Sequence, residues 1–395
     1  MKNTFRLLVG LSLTFNLQSM SQAYTPVNTQ RVLIGAFPFQ NFTYDARSAA
    51  LGEAGIAISP DVNSGLMNPA KLVFLNASKD STKKENPFGI SLHYTPYYRK
   101  LIQGMNLFAL NTFKVKNNHA FGLTTKYFDA GEVEIRNEKG IFQRNFTSKE
   151  FSIAGFYTKR LKHNNSFSVG LKYVRSDLSS TLKPVNAVSG DLYFYHNSPV
   201  ATAAPSLDGG VKKRWLNYGA SLTNIGGKVS YGDFKARTFQ PTLLKLGAAQ
   251  NFVLRKRRSI LMFAIDANKL LVPTPSVRNA NNEVIAGRNE ENISGIGTIF
   301  QSWGTAPDGF RETLREFTFS LGTEFQFRVG GVLHFFARTG YYTQNKRKGD
   351  IHNFTLGLGG RFKDFGLDLS YLIPSKRNMV LSNTFRVSLN YCPFK

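Results

Sequence analysis

The feature that most constrains this chain is a two-residue period that runs, with turns between, from Gly89 towards the C-terminus. Phe167, Val169, Leu171 and Tyr173 alternate with Ser168, Gly170 and Lys172. Leu216, Tyr218, Ala220 and Leu222 alternate with Asn217, Gly219, Ser221 and Thr223. Phe354, Leu356 and Leu358 share a face, and so do Phe385, Val387, Leu389 and Tyr391. This is the pattern of strands whose two faces meet different surroundings. One face is strongly apolar, and the other carries Gly, Ser, Thr, Asn, Asp, Lys and Arg. A soluble sandwich would turn the second face to water, and glycine, which weakens strand interiors, would be scarce there. A membrane barrel instead turns apolar side chains to lipid and polar or tiny ones to its lumen. It must also close, because an open edge in lipid leaves backbone groups unpaired. The expected fold is therefore all-β: a transmembrane antiparallel barrel of about fourteen strands, an even number. The strand centres are expected near residues 92, 110, 123, 155, 171, 192, 218, 247, 264, 322, 337, 357, 369 and 387.

The N-terminus places that barrel. Lys2 and Arg6 precede an apolar run, Leu7 to Leu17, and Ser21-Gln22-Ala23 follows it. That is the layout of a secretory signal peptide spanning residues 1–23. Its removal takes two of 50 basic residues and none of 25 acidic ones, leaving 48 − 25 = +23. The rest of the chain has no apolar run of the ~18 residues a membrane helix needs. Cys392 is the single cysteine, so no disulfide frames the fold. A Gram-negative outer membrane is the expected location.

Between the leader and the first strand, residues 24–86 form a lead-in and a candidate hatch, with the barrel proper over 87–395. Residues 24–44 read as an extended, aromatic lead-in containing Phe37, Phe39, Phe42 and Tyr44. Asp45 to Ala70 differs, with no aromatic at all in a chain that is 13% aromatic. Arg47 to Leu51 reads as a helical turn stopped by Gly52. Ser59-Pro60-Asp61 and Met67-Asn68-Pro69 are turn signals. Small residues and tight turns let backbone pack closely in a confined space, so this stretch is expected to plug the lumen. Lys71 to Asn86 reads as a polar connection to the first strand.

Connections alternate in length, with short turns near 117, 163, 256, 329 and 364 and long ones over 129–149, 224–241 and 270–315. Short periplasmic turns and long outer loops explain the alternation. The segment 197–212 breaks it. The longest loop contains Leu271-Val272-Pro273-Thr274-Pro275 and Ile299 to Trp303. Leu271, Pro273, Pro275, Phe300 and Trp303 are candidates for a partner-binding surface, or they fold back into the barrel mouth. Both readings stay open.

No catalytic constellation is visible. The six histidines lack metal-ligand spacing, and no Gly-x-Ser-x-Gly elbow or P-loop occurs. Asp61 and Asn63 have a spacing seen in calcium loops, but the other ligands are missing. Gly357-Leu358-Gly359-Gly360 lies in a strand, where small residues beside a packed plug explain it. His93 and His334 fall on the lumen phase and read as structural. Arg255 to Arg258 is a solvated turn rather than a nucleic-acid site, because a polybasic run alone is weak. No cofactor, metal or nucleic-acid partner is expected, and no enzymatic activity.

Asp45-Ala46-Arg47-Ser48-Ala49-Ala50-Leu51-Gly52, then Ser59-Pro60-Asp61 and Asn68-Pro69-Ala70, resemble the N-terminal signature of the PorV (LptO) family. The resemblance continues through Tyr94 to Lys100, Arg175 to Leu178, Thr223 to Gly226, Asn268 to Pro275, Gly297 to Ser302 and Tyr371 to Pro374. It implies a FadL-like barrel with an N-terminal hatch, carrying Asp45, Arg47, Ser48, Gly52, Pro60, Asp61, Asn68, Pro69 and Ala70 as its motif residues. It also implies a subunit of the type IX secretion system of Bacteroidota. Such a subunit would bind the C-terminal signal domains of secreted cargo beside the large translocon barrel. It would deliver them to the attachment-complex proteins, which join cargo to lipopolysaccharide of the outer-membrane lipid. The alternatives are a FadL-type transporter of hydrophobic compounds and a lipid A deacylase. The first needs an apolar path, whereas the lumen phase is polar. The second needs a Ser/His/acid group at the rim, and none is evident.

Overall fold

A computed structural model describes residues 31–75, 87–96, 105–137, 139–178, 183–199, 201–202, 211–231, 237–254, 259–329, 333–375 and 384–393. The proposed leader, the Arg255 to Arg258 cluster and most of the 197–212 segment lie outside them.

Fourteen strands close into one antiparallel barrel. They are β1 (Phe88–Pro96), β2 (Asn106–Lys116), β3 (His119–Arg136), β4 (Phe142–Arg160), β5 (Asn165–Asp177), β6 (Val185–Asn197) and β7 (Val211–Gly226) in the first half. The second half is β8 (Leu243–Leu254), β9 (Ile260–Leu270), β10 (Phe317–Val329), β11 (Leu333–Gln344), β12 (His352–Phe362), β13 (Phe365–Pro374) and β14 (Phe385–Tyr391). Each pairs with its sequence neighbours, and β1 pairs with β14 to complete the ring, Leu92 standing opposite Leu389. All fourteen expected centres fall inside strands. No helix of the described residues is long and apolar enough to cross a membrane.

The burial pattern is that of a protein whose outside solvent is oil. Leu171 is 67% exposed, while inward-phase residues around the wall, such as Ser168, Asp266, Ser320 and Ser388, are buried. The apolar face thus looks outward around the wall, and the inner face is polar. Closure pairs the strand edges of the ring, as lipid demands.

The two ends of the barrel differ. At one end lie tight turns: Asn117 and Lys363 sit at φ 56° and 51° in two-residue connections, a backbone region that asparagine tolerates well. The start of β1 and the end of β14 lie at this end too. By the usual asymmetry it faces the periplasm. The other end carries the long connections, including 271–316. The expected 129–149 loop is a correction. β3 and β4 run on as a paired hairpin, Glu132 opposite Thr147 and Arg136 opposite Phe142, with a bulge after Asp129. At 18 and 19 residues they exceed the ~9–11 needed to cross a bilayer, so the hairpin projects beyond it.

The plug is longer than the aromatic-free stretch. Phe37, Phe39 and Tyr44 are buried in a cluster with Leu107, Val174 and Val185 of the wall. Pro38–Asn41 is a 3-10 turn there, so the reading of residues up to 44 as a mere lead-in is corrected for 36–44. Pro69–Phe74 is a second 3-10 turn, buried throughout, so the polar connection begins only after it. Arg31 bonds Glu312 of the outer loop, whereas the carbonyls of Pro69 and Ala70 accept from Thr158 and Ser166 near the periplasmic turns. The chain therefore descends the whole bore from outer mouth to periplasmic end before β1 begins.

Leu356 sits mid-strand on the lipid face, 51% exposed. Leu356→Arg is expected to cost about 2–4 kcal/mol in bilayer folding titrations. Ser370→Ala, at a buried lumen-facing position of the neighbouring β13, would not incur that lipid penalty.

Candidate functional site in the plugged lumen and outer loop

The plug has two short helices, α1 (Ala46–Ala50) and α2 (Ser64–Met67). Asp45 caps α1, its carboxylate accepting from Ser48 N at 2.7 Å. The helix ends at Gly52, whose φ of 65° suits glycine. It rests on a bed of wall glycines. A Cβ on Gly340 would lie 2.0 Å from Gly52 N, and one on Gly322 would lie 2.6 Å from the Leu51 Cβ. Gly357 meets Ala50 in the same way. Only bare backbone admits this approach.

The wall then answers the plug's backbone, strand by strand. Ala46 N donates to Ser388 Oγ at 2.8 Å on β14. Gly52 N donates to Thr355 Oγ1 of β12, and that hydroxyl donates to Ala50 O, both at 2.9 Å. The Asp266 carboxylate of β9 accepts from Gly55 N and Ile56 N at 2.8 and 3.0 Å. Asn111 of β2 donates to Val62 O at 2.7 Å. Within the plug, Asn68 Nδ2 donates to Ile56 O and across to Phe194 O of β6, both at 3.0 Å. Lys71 Nζ donates to Gly55 O at 2.7 Å.

Below α1 lies an ionic core. Arg47 grips Glu324 of β10 with two bonds, 2.9 and 2.8 Å, and reaches Asp61 at 3.1 Å. Arg338 of β11 bridges Glu324 at 2.6 Å to Asp368 of β13 at 2.8 Å. Arg361 of β12 closes on Asp368 at 2.6 Å. Three guanidinium groups meet three carboxylates, so the core is neutral. Removing one member strands a buried charge, at about 3–5 kcal/mol. Among the described residues no cluster could hold a metal ion. His93 is buried between Ser388 and Ser91 at 2.7 and 2.9 Å, and His334 bonds Gln326. Both sit within the wall's hydrogen bonding, and the Ser388 hydroxyl beside His93 also accepts from Ala46 N of the plug.

At the outer mouth a second network joins four segments. Arg31 makes a two-pronged bond to Glu312, 2.9 and 2.8 Å, and pairs with Asp308. Lys348 bridges Glu312 at 2.7 Å to Glu316 at 3.1 Å, and Lys269 also pairs with Glu316. Burial alone would raise the Glu312 pKa, but the bonds from Arg31, Lys348 and Asp308 N override it and hold it near about 2.

The long loop has structure of its own. Val277–Arg278 pairs with Val284–Ala286, followed by α3 (Thr298–Gln301) and α4 (Phe310–Arg315). Trp303 packs against Phe317 in a tilted pair with ring centroids 6.0 Å apart, and Lys269 Nζ lies 5.2 Å from its ring. Phe317 opens the lipid-facing column that continues with Phe319 and Leu321, so this turn leans on the outside of the wall at the outer rim. Phe300 is 80% exposed, and Phe310 and Leu314, one turn apart on α4, are also exposed.

A family model for the type IX secretion system protein PorV matches residues 25–277, well over half of the chain. The chain belongs to the PorV family. No curated protein matches it. Among solved structures it is similar to the toluene transporter TodX of Pseudomonas putida, at 12% identity over 93% of this chain and 98% of that one, TM-score 0.47. It is also similar to the monoaromatic hydrocarbon channel CymD, at 10% identity over 89% and 97%, TM-score 0.47. A FadL homologue of Pseudomonas aeruginosa gives 11% identity over 92% and 99%, TM-score 0.43.

The PorV-type motif residues are brought together: Asp45, Arg47, Ser48, Asn68, Pro69 and Ala70 are buried in the lumen, as is Gly52, with Asp61 on Arg47 and Pro60 beside it. The outer-loop candidates divide. Leu271 and Pro273 are buried, Leu271 at the loop's root and Val272 packing on Phe239 and Ile293, so they are structural. Pro275 and Phe300 are exposed and Trp303 partly so. Sequence reading missed Asp266, Thr355, Glu324, Arg338 and Asp368, although charged residues at lumen-phase strand positions were a usable signal. Arg31, Glu312 and Lys348 gave none.

Gly340→Val is expected to push α1 off the wall, raising single-channel conductance in planar bilayers and protease sensitivity. Gly360→Val, with open space at its Cβ, leaves both unchanged. Because Glu312 ionises below its ordinary 4.5, the outer network is complete above about 4.5 and is lost as pH falls through about 2. Trp303 emission, followed in a Trp215→Phe background, should change in that window. Glu312→Gln should abolish the transition.

Proposed function

We propose that this PorV-family barrel is a non-enzymatic subunit of the type IX secretion system that binds the C-terminal signal domains of cargo beside the translocon. It then passes cargo to the attachment complex at the cell surface. The observation that carries this reading is the filled bore. A plug bonded to strands around the wall leaves the rims, rather than a transport path, as the working surface. The outer loop supports it with an apolar, structured face bearing Phe300, Phe310 and Leu314, where aromatic anchors of the kind that dominate interfaces stand exposed. The translocon barrel, the cargo domain, the attachment proteins and the outer-leaflet lipopolysaccharide are the partners proposed for that rim. Pro275, Phe300 and Trp303 are the loop residues proposed to touch them. The buried motif residues from Asp45 to Ala70 serve by keeping the bore shut.

The transporter reading has one observation in its favour, a lumen void of about 490 Å³ on the periplasmic side lined by Arg47, Trp215, Phe336 and Arg361. The plug stands between it and the outer mouth.

Phe300→Asp combined with Phe310→Asp should cut co-purification of cargo domain or translocon from native membranes by tenfold or more, about the loss of one modest hot spot. Heat-modifiable migration of the barrel should stay normal. Undiminished co-purification would remove the loop from the mechanism.

A further inference from the structure

Where the plug's aromatic turn meets the wall lies a void of about 50 Å³ whose polar lining includes Gln40 of the plug and Lys126, Lys172, Ser221, Asn224 and Lys245 of strands β3, β5, β7 and β8. Its electrostatics are one-sided. Three ammonium groups line it and no carboxylate does. The nearest acid, Asp191, is engaged: it pairs with Lys172 at 3.0 Å and accepts from Asn224 N at 2.7 Å. Lys126 Nζ donates a hydrogen bond to Gln40 O at 2.9 Å and lies over the Tyr44 ring. The neutral lining is unfinished as well. Both amide atoms of Gln40 and the hydroxyl of Ser221 are buried, 4% and 3% exposed, without a hydrogen-bond partner. Native interiors pair such groups, and an unpaired buried donor costs about 1–3 kcal/mol. Surplus positive charge buried away from water is costlier still.

We infer that this void is a binding site for one small inorganic anion of halide size, which ties the plug to the wall. An anion accepts from the Ser221 hydroxyl, the Gln40 amide and the lysine ammonium groups together, satisfying orphaned donors and offsetting like-charge repulsion. Water satisfies the hydrogen bonds but leaves the charge. The volume excludes organic ligands, whose sites run to about 300 Å³ or more. Since Gln40 belongs to the plug and the lysines to the wall, the ion would act as a cross-brace between them.

Bromide is the probe. Crystals of the full-length mature protein grown in sodium bromide should show an anomalous peak in this void at the bromine edge, and Lys245→Met should remove it. In detergent, Tm should be higher in chloride or bromide than in gluconate at the same ionic strength, because a ligand bound only by the folded state stabilises it. That difference should shrink by half or more in Lys245→Met, while Lys346→Met, on an exposed outer turn, keeps it. No bromide peak in the wild type, a peak that persists in Lys245→Met, or a Tm that follows ionic strength alone would each overturn the site and leave water there.

Discussion

A polypeptide segment inside a closed barrel has little water to bond, so its backbone must be answered by the wall. That requirement organises this molecule. An unmet buried amide costs about 1–3 kcal/mol, and a plug built of single helical turns and irregular chain exposes many. Here the answers come from hydroxyls, amides and carboxylates on the inward phase: Ser388, Thr355, Asp266, Asn111, Thr158 and Ser166. The polar lumen is thus the complement of one specific segment, and the glycines of β10, β11 and β12 are the contour that segment lies against. The outward phase meets lipid and needs only to be greasy, which is why it varies freely among Phe, Leu, Ile, Val and Tyr.

This separation also explains what could be read before any coordinates. Strand number and position were legible because each strand sees oil on one side and polar groups on the other, the situation that produces a clean period of two. The plug was legible where it is made of small residues. It was not legible at Phe37, Phe39 and Tyr44, because those rings fill the bore in the way side chains fill any core, and nothing local distinguishes them from a lead-in. The β3–β4 extension was missed because it leaves the membrane, and alternation in a hairpin with water on both sides is weak. The ionic core was invisible as a set. Arg47 and Glu324 are far apart in sequence, and only barrel closure brings them within 2.8 Å.

In the outer loop, composition set one segment apart, but which of its residues are buried and which exposed required structure. Leu271 and Pro273 are apolar because they root the loop, whereas Phe300 is apolar and left uncovered. A proline-aromatic run gives no means of telling these apart. The same holds for membership of the PorV family, which specifies the system this barrel serves and leaves the contact surface to be found by experiment.

The direction in which the plug is threaded has a consequence for biogenesis. The residues that occupy the bore are translated before any strand, and their leading end finishes at the far, cell-surface mouth, locked by Arg31 against Glu312. Once the β1–β14 seam has zipped, no lateral gap remains, and that segment would have to be threaded lengthwise up a bore it fills. Insertion and closure must therefore proceed as wrapping around a mandrel, so that the assembly machinery handles the hatch and the half-built sheet as one object.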